Sequence, residues 1–92
     1  MFLLTYHVKR TPDKQDDSEI SGAFVNCYII GNSLKSADSI ARQEIKRMDW
    51  DILNREDAQT VDKESIADDK REYYEQALVD KTVFVFYTYP DD

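Results

Sequence analysis

The run Thr82-Val-Phe-Val-Phe-Tyr-Thr-Tyr89 is apolar or aromatic at nearly every position. Successive side chains of a strand point to opposite sides of its sheet. Val83, Val85 and Tyr87 therefore share one face, and Phe84 and Phe86 share the other. A strand buried on one face alternates apolar with polar residues, so this strand requires cover on both sides. The fold must supply that cover from a short, acidic chain.

Ninety-two residues make one domain, 1–92. A chain of this size buries about 60–65% of the surface its unfolded form exposes, and its stability is expected to be roughly 5–10 kcal/mol. A partner surface would add substantially to so small a core. The net charge of −7, from 19 acidic and 12 basic residues, opposes binding to nucleic-acid phosphates or to an anionic membrane and favours basic partners. Cys27 is the only cysteine, which rules out an intramolecular disulfide and makes it a small core residue by expectation. The first residues show neither the basic segment nor the long apolar run of a signal peptide. No stretch approaches the roughly 20 apolar residues of a membrane span. The expectation is a cytosolic protein, with a composition suggestive of a bacterial source.

Phe2 to Lys9 reads as a strand, with Phe2, Leu4, Tyr6 and Val8 on one face and Leu3, Thr5 and His7 on the other. Residues 10–21 are polar, contain Pro12 and gather Asp13, Asp16, Asp17 and Glu19. Without apolar periodicity this stretch is expected to be a mobile acidic loop. Gly22 to Ile30 reads as a second strand pairing with the first across that loop. Ala23, Val25, Cys27 and Ile29 fall on one face; Phe24, Tyr28 and Ile30, interrupted by Asn26, fall on the other.

Ser33 suits a helix N-cap, and Leu34, Ala37, Ile40, Ala41, Ile45 and Met48 recur at helical spacing. Lys46 and Arg47 complement the helix dipole, and Asp49 is expected to end the helix in the left-handed region. Trp50 to about Arg55 reads as a short strand that could extend around Thr60-Val61. Ser65-Ile-Ala-Asp68 resembles a capping box opening a second helix to about Asp80, with Ile66, Tyr73, Tyr74, Ala77 and Leu78 as its stripe. The expected fold is α+β, in the order β-β-α-β-α-β. A single four-stranded mixed sheet would carry both helices packed on one face.

Three segments together carry a resemblance: Gly22-Ala-Phe-Val-Asn-Cys-Tyr-Ile-Ile30, the helix leading to Trp50-Asp51-Ile52, and Tyr73-Tyr-Glu-Gln-Ala-Leu-Val-Asp-Lys-Thr-Val-Phe-Val-Phe86. They resemble a family of short uncharacterised bacterial proteins with a Gly-Trp step after the first helix. Here Asp49 stands in place of that Gly. The resemblance implies no activity.

His7 is the only histidine, and its titration range suits acid–base work, but the sequence offers it no partner. Cys27 is flanked by Asn26 and Tyr28, neither of which activates a thiol. One Cys and one His do not make a usual zinc set, and Asp13-Lys-Gln-Asp-Asp17 lacks the spacing and glycine of a calcium loop. No glycine-rich phosphate loop, Gly-x-Ser-x-Gly elbow or His-Glu-x-x-His is present. No catalytic residue, metal site or cofactor is assigned. Tyr73 and Tyr74 lie about 100° apart on their helix, so one packs inward and the other sits at the edge.

The first functional expectation is a cytosolic binding protein that forms a homodimer through its sheet, with Phe24, Tyr28, Phe84 and Phe86 as interface residues. Stacking of bases on such rings would need positive charge nearby. The second is a small-ligand binder or enzyme. Phe-Leu-Leu-Thr-Tyr-His resembles the first strand of dimeric α+β barrel proteins, although their strand–helix–strand–strand order differs. His7, Tyr6 and Tyr87 are its ligand candidates. The third is an acidic inhibitor or nucleic-acid mimic for a basic protein partner. It would use Asp13, Asp16, Asp17, Glu19, Asp57, Asp62, Glu64, Asp68 and Asp69.

Overall fold

The computed structural model describes residues 1–10 and 20–90. The acidic loop expected over 10–21 therefore lies, apart from its ends, outside the described residues. Strands β1 (Phe2–Arg10) and β2 (Ile20–Ile29) precede helix α1 (Leu34–Arg47). Strand β3 (Trp50–Thr60), helix α2 (Arg71–Asp80) and strand β4 (Thr82–Pro90) follow, with a 3-10 turn at Asp68–Lys70 leading into α2. The strands form one sheet in the order β3-β1-β2-β4, and each neighbouring pair is antiparallel.

This corrects the mixed sheet expected from the sequence. β2 and β3 do run in the same direction, as strands joined through a helix commonly do. But β1 lies between them, paired to β2 on one side and β3 on the other, so no parallel pair forms. The β1–β2 hairpin is present, with Leu4 opposite Cys27 and Tyr6 opposite Val25.

The expected placement of both helices on one face is also corrected. On the first face, Leu4, Tyr6, Val8, Ala23, Val25, Cys27 and Ile29 are buried against Ala37, Ala41 and Ile45 of α1, together with Trp50. Phe84 and Phe86 pack at the margin of this cluster, and the Trp50 and Phe86 rings stack with centroids 5.4 Å apart. On the second face, Tyr28 is buried with Val61, Ile66 and Ala77, and Leu3, Val83, Val85, Tyr73 and Tyr74 pack around them. The physical reason lies in the crossovers. α1 already fills the first face between β2 and β3, so the apolar side of α2 must bury on the second as the chain crosses to β4.

Local signals explain the helix ends. Ser33 Oγ accepts the Ser36 N–H at 3.1 Å, an N-cap contact. Asp49 has φ 69°, the left-handed stop expected of it. Leu34 and Met48, at the two ends of the stripe, are exposed.

The Ser65 capping box does not form. Asp62 Oδ1 accepts the N–H groups of Glu64 and Ser65 at 3.1 and 2.8 Å, and Ser65 Oγ accepts the Asp62 N–H at 2.9 Å. Ser65 is thus engaged in a local turn, and α2 starts only at Arg71. Leu78, expected in the α2 stripe, is 51% exposed.

β3 continues through the polar residues to Thr60 because β1 supplies its ladder. Its register shifts twice, skipping Leu53 and Glu56, which makes β3 a bulged edge strand.

Candidate functional site

α2 covers only part of the second face. Beyond Tyr28 and Val83 the sheet presents a lateral row of side chains: Asn54 on β3, His7 on β1, Phe24 on β2 and Tyr87 on β4, each opposite the next in register. Thr5 and Asn26 form a second pair on this face, joined by a hydrogen bond of 2.8 Å from Thr5 Oγ1 to Asn26 Oδ1. Phe24 is 39% exposed and Tyr87 42%.

The rings in this region are mutually positioned. His7 stacks on Phe24 with centroids 4.5 Å apart and planes 14° apart. Its Nε2 shares a hydrogen bond of 2.6 Å with Tyr89 Oη. Tyr89 belongs to β4, two strands away from His7, and crosses β2 at Gly22, its partner in register. A Cβ at Gly22 would stand 2.3 Å from Tyr89 Oη and 2.9 Å from the Val8 carbonyl oxygen. Here glycine is required by close approach. At the border with α2, Lys70 Nζ donates to Tyr87 Oη at 2.8 Å and lies 5.1 Å from the Tyr87 ring centroid. The Tyr87 hydrogen bond pushes the Lys70 ammonium above its ordinary 10.5, so Lys70 is charged at neutral pH.

The ligand candidates are divided by this geometry. His7 and Tyr87 share the open half of the second face, whereas Tyr6 is buried on the first. The Tyr6 hydroxyl donates to Asp38 Oδ1 at 2.5 Å. Asp38 also takes Arg42 Nε at 2.9 Å and Arg55 at 3.4 Å, and the Arg42 guanidinium lies 5.5 Å from the Tyr6 ring centroid. Burial pushes the Tyr6 hydroxyl well above its ordinary 10.0, with the Asp38 carboxylate adding to it. Burial works against the Asp38 charge, but hydrogen bonds from Tyr6 and Arg42 and the charges of Arg42 and Arg55 hold its carboxyl below 3.8. The group links α1 to β1 and β3 and leaves Tyr6 engaged in structure.

The four residues expected at an interface are divided as well. Phe24 and Tyr28 point to the second face, Phe84 and Phe86 to the first. Tyr28 is wholly buried beneath α2. Among the described residues its hydroxyl meets no hydrogen-bond partner. Only Phe24 presents its ring on the open region. Cys27 is fully buried, and burial pushes its thiol far above 9.0, as suits an inert core residue.

Among the described residues no three His, Cys, Asp or Glu side chains stand close enough to hold a metal ion. No helix among them is long and apolar enough to cross a membrane. A separate shallow pocket of about 140 Å³ lies between Phe2, Leu34, Ala58, Gln59 and Thr60.

The structure adds Tyr89, Lys70 and Gly22 to the site residues that the sequence marks. Tyr89 carries a signal in the strand period, since it follows Val83, Val85 and Tyr87 on one face. Lys70 carries none, because its place depends on where α2 begins. Comparison with protein-family models, with curated proteins and with solved structures found no match.

Proposed function

We propose that this chain is a cytosolic binding protein that self-associates through its sheet. The observation that carries this reading is β4, an edge strand whose residues Thr82–Tyr89 carry no charge in a chain that is 34% charged. Among the described residues no further strand pairs with its outer side, and an uncharged strand edge is a template for another strand. Light scattering coupled to size exclusion, across a range of concentrations, tests the reading. A mass twice that of the 10.8 kDa chain is expected, and a monomer mass at every concentration would overturn it.

A second reading, a small-ligand binder, is favoured by the open cluster of His7, Phe24, Tyr87, Tyr89 and Lys70. Rings fixed by stacking and hydrogen bonds, beside one ammonium, suit a planar aromatic acid. The His7 ring resonances report binding there directly. Trp50 does not, since it stacks on Phe86 at the first face. Unchanged His7 resonances across a panel of aromatic acids would sink this second reading.

A further inference from the structure

We infer that the partner of the β4 edge is a second copy of β4, paired antiparallel about a two-fold axis at Val85. The inference rests on the self-association reading and specifies its geometry. The two edges of the sheet differ in kind. The β3 edge carries Asp51, Arg55, Glu56 and Asp57 and bulges at Leu53 and Glu56. These are the devices by which proteins block edge pairing. β4 has none of them from Thr82 to Tyr89. Its only register irregularity with β2 falls at the far end, between Ile20 and Gly22. Copies bearing −7 each repel one another, so an uncharged strand is where they can approach.

The backbone fixes which groups are free. The Lys81 carbonyl accepts the Ile30 N–H at 2.9 Å and so points toward β2, while the Lys81 N–H donates to the Ala77 carbonyl at 2.8 Å. Because antiparallel ladders alternate, Val83, Val85 and Tyr87 turn their N–H and C=O groups toward β2. Thr82, Phe84, Phe86 and Thr88 turn their N–H and C=O groups outward.

Antiparallel partners share a sheet face, so a symmetric pair must centre on a residue. Centring on Val85 sets Thr82 opposite Thr88 of the second copy, Val83 opposite Tyr87, and Phe84 opposite Phe86. These are Thr–Thr, β-branched–aromatic and aromatic–aromatic combinations, each a favourable cross-strand pair. All four outward-facing residues find backbone partners. Centring on Phe86 would set Thr82 opposite Pro90, which has no N–H to give, and Phe84 opposite Thr88. Centring on Phe84 would shorten the ladder and bring Lys81 and Asp80 into it. The strand is self-complementary in one register.

Thr82 and Thr88 supply the test. They lie at opposite ends of β4 within one chain and meet only across the proposed axis. The variants T82E/T88K, T82E/T88E and T82K/T88K are compared with the parent by light scattering, with circular dichroism checking the fold. The expected result is a dimer for the parent and for T82E/T88K, with dissociation constants about tenfold or more higher for the two like-charged variants. Added salt should narrow that gap. A parent that dimerises while all three variants behave alike would overturn the Val85-centred register and leave self-association standing. A parent that is monomeric throughout would overturn both.

Discussion

On the face under α1, Ala37, Ala41 and Ile45 meet buried residues from β1 and β2, and the Tyr6 hydroxyl brought inside there is matched by Asp38. On the face under α2, the helix brings Tyr73, Tyr74 and Ala77 onto Tyr28, Val83 and Val85, and the Tyr28 hydroxyl meets no partner among the described residues. The strands offer apolar residues to both sides, so the difference comes from the helices. α1 has 14 residues and a capped start. α2 has 10 and no side-chain cap, and leaves the His7 half of its face open. A sheet with one sealed face can use the other for contact.

That contrast makes the first face the seat of stability. Ile45→Ala should cost about 2–5 kcal/mol, the usual cost of emptying a buried aliphatic site, whereas Leu78→Ala on α2 should change stability by less than about 0.5 kcal/mol. Urea unfolding of the two variants checks this, and equal losses would contradict the division between the faces.

Gly22→Ala tests the open half. Its methyl group must displace Tyr89 or push back the Val8 backbone, at a cost of about 1–3 kcal/mol. The His7 ring resonances should move as the hydrogen bond to Tyr89 is lost. A variant with parental stability and unmoved His7 resonances would show that the close approach is unimportant.

Tyr28→Phe should give the least change. A buried hydroxyl without a partner costs about 1–3 kcal/mol, so its removal should leave stability unchanged or raise it by about 1 kcal/mol. A thermal melt decides this, and a clear loss would mean that the hydroxyl is satisfied after all.

Much of the chain's local structure was legible in the sequence, and its arrangement was not. Ser33 and Asp49 mark the ends of α1 because capping and left-handed turns depend on single residues. The local pattern ends β3 near Arg55, since Glu56 to Thr60 becomes strand only by pairing with β1, a long-range effect with no local signal. The faces of Phe84 and Val85 were distinguishable by parity, but which helix each would meet was not, because both rows are apolar. For the same reason the sequence alone groups Phe24 and Tyr28 with Phe84 and Phe86, although strand pairing sends them to opposite sides. At the open site, His7 and Tyr87 stand out in the sequence by their chemistry. Their neighbour Tyr89 depends on a gap at Gly22 that only pairing reveals.

Cys27 is the chain's one cysteine and sits at the centre of the sealed face. The thiolate is the form that alkylating reagents attack, and both burial and the raised thiol deny them access. In excess reagent, modification must then wait for the sheet to come apart, and its rate reads the frequency of that opening. The unaltered chain thus carries its own stopwatch for unfolding.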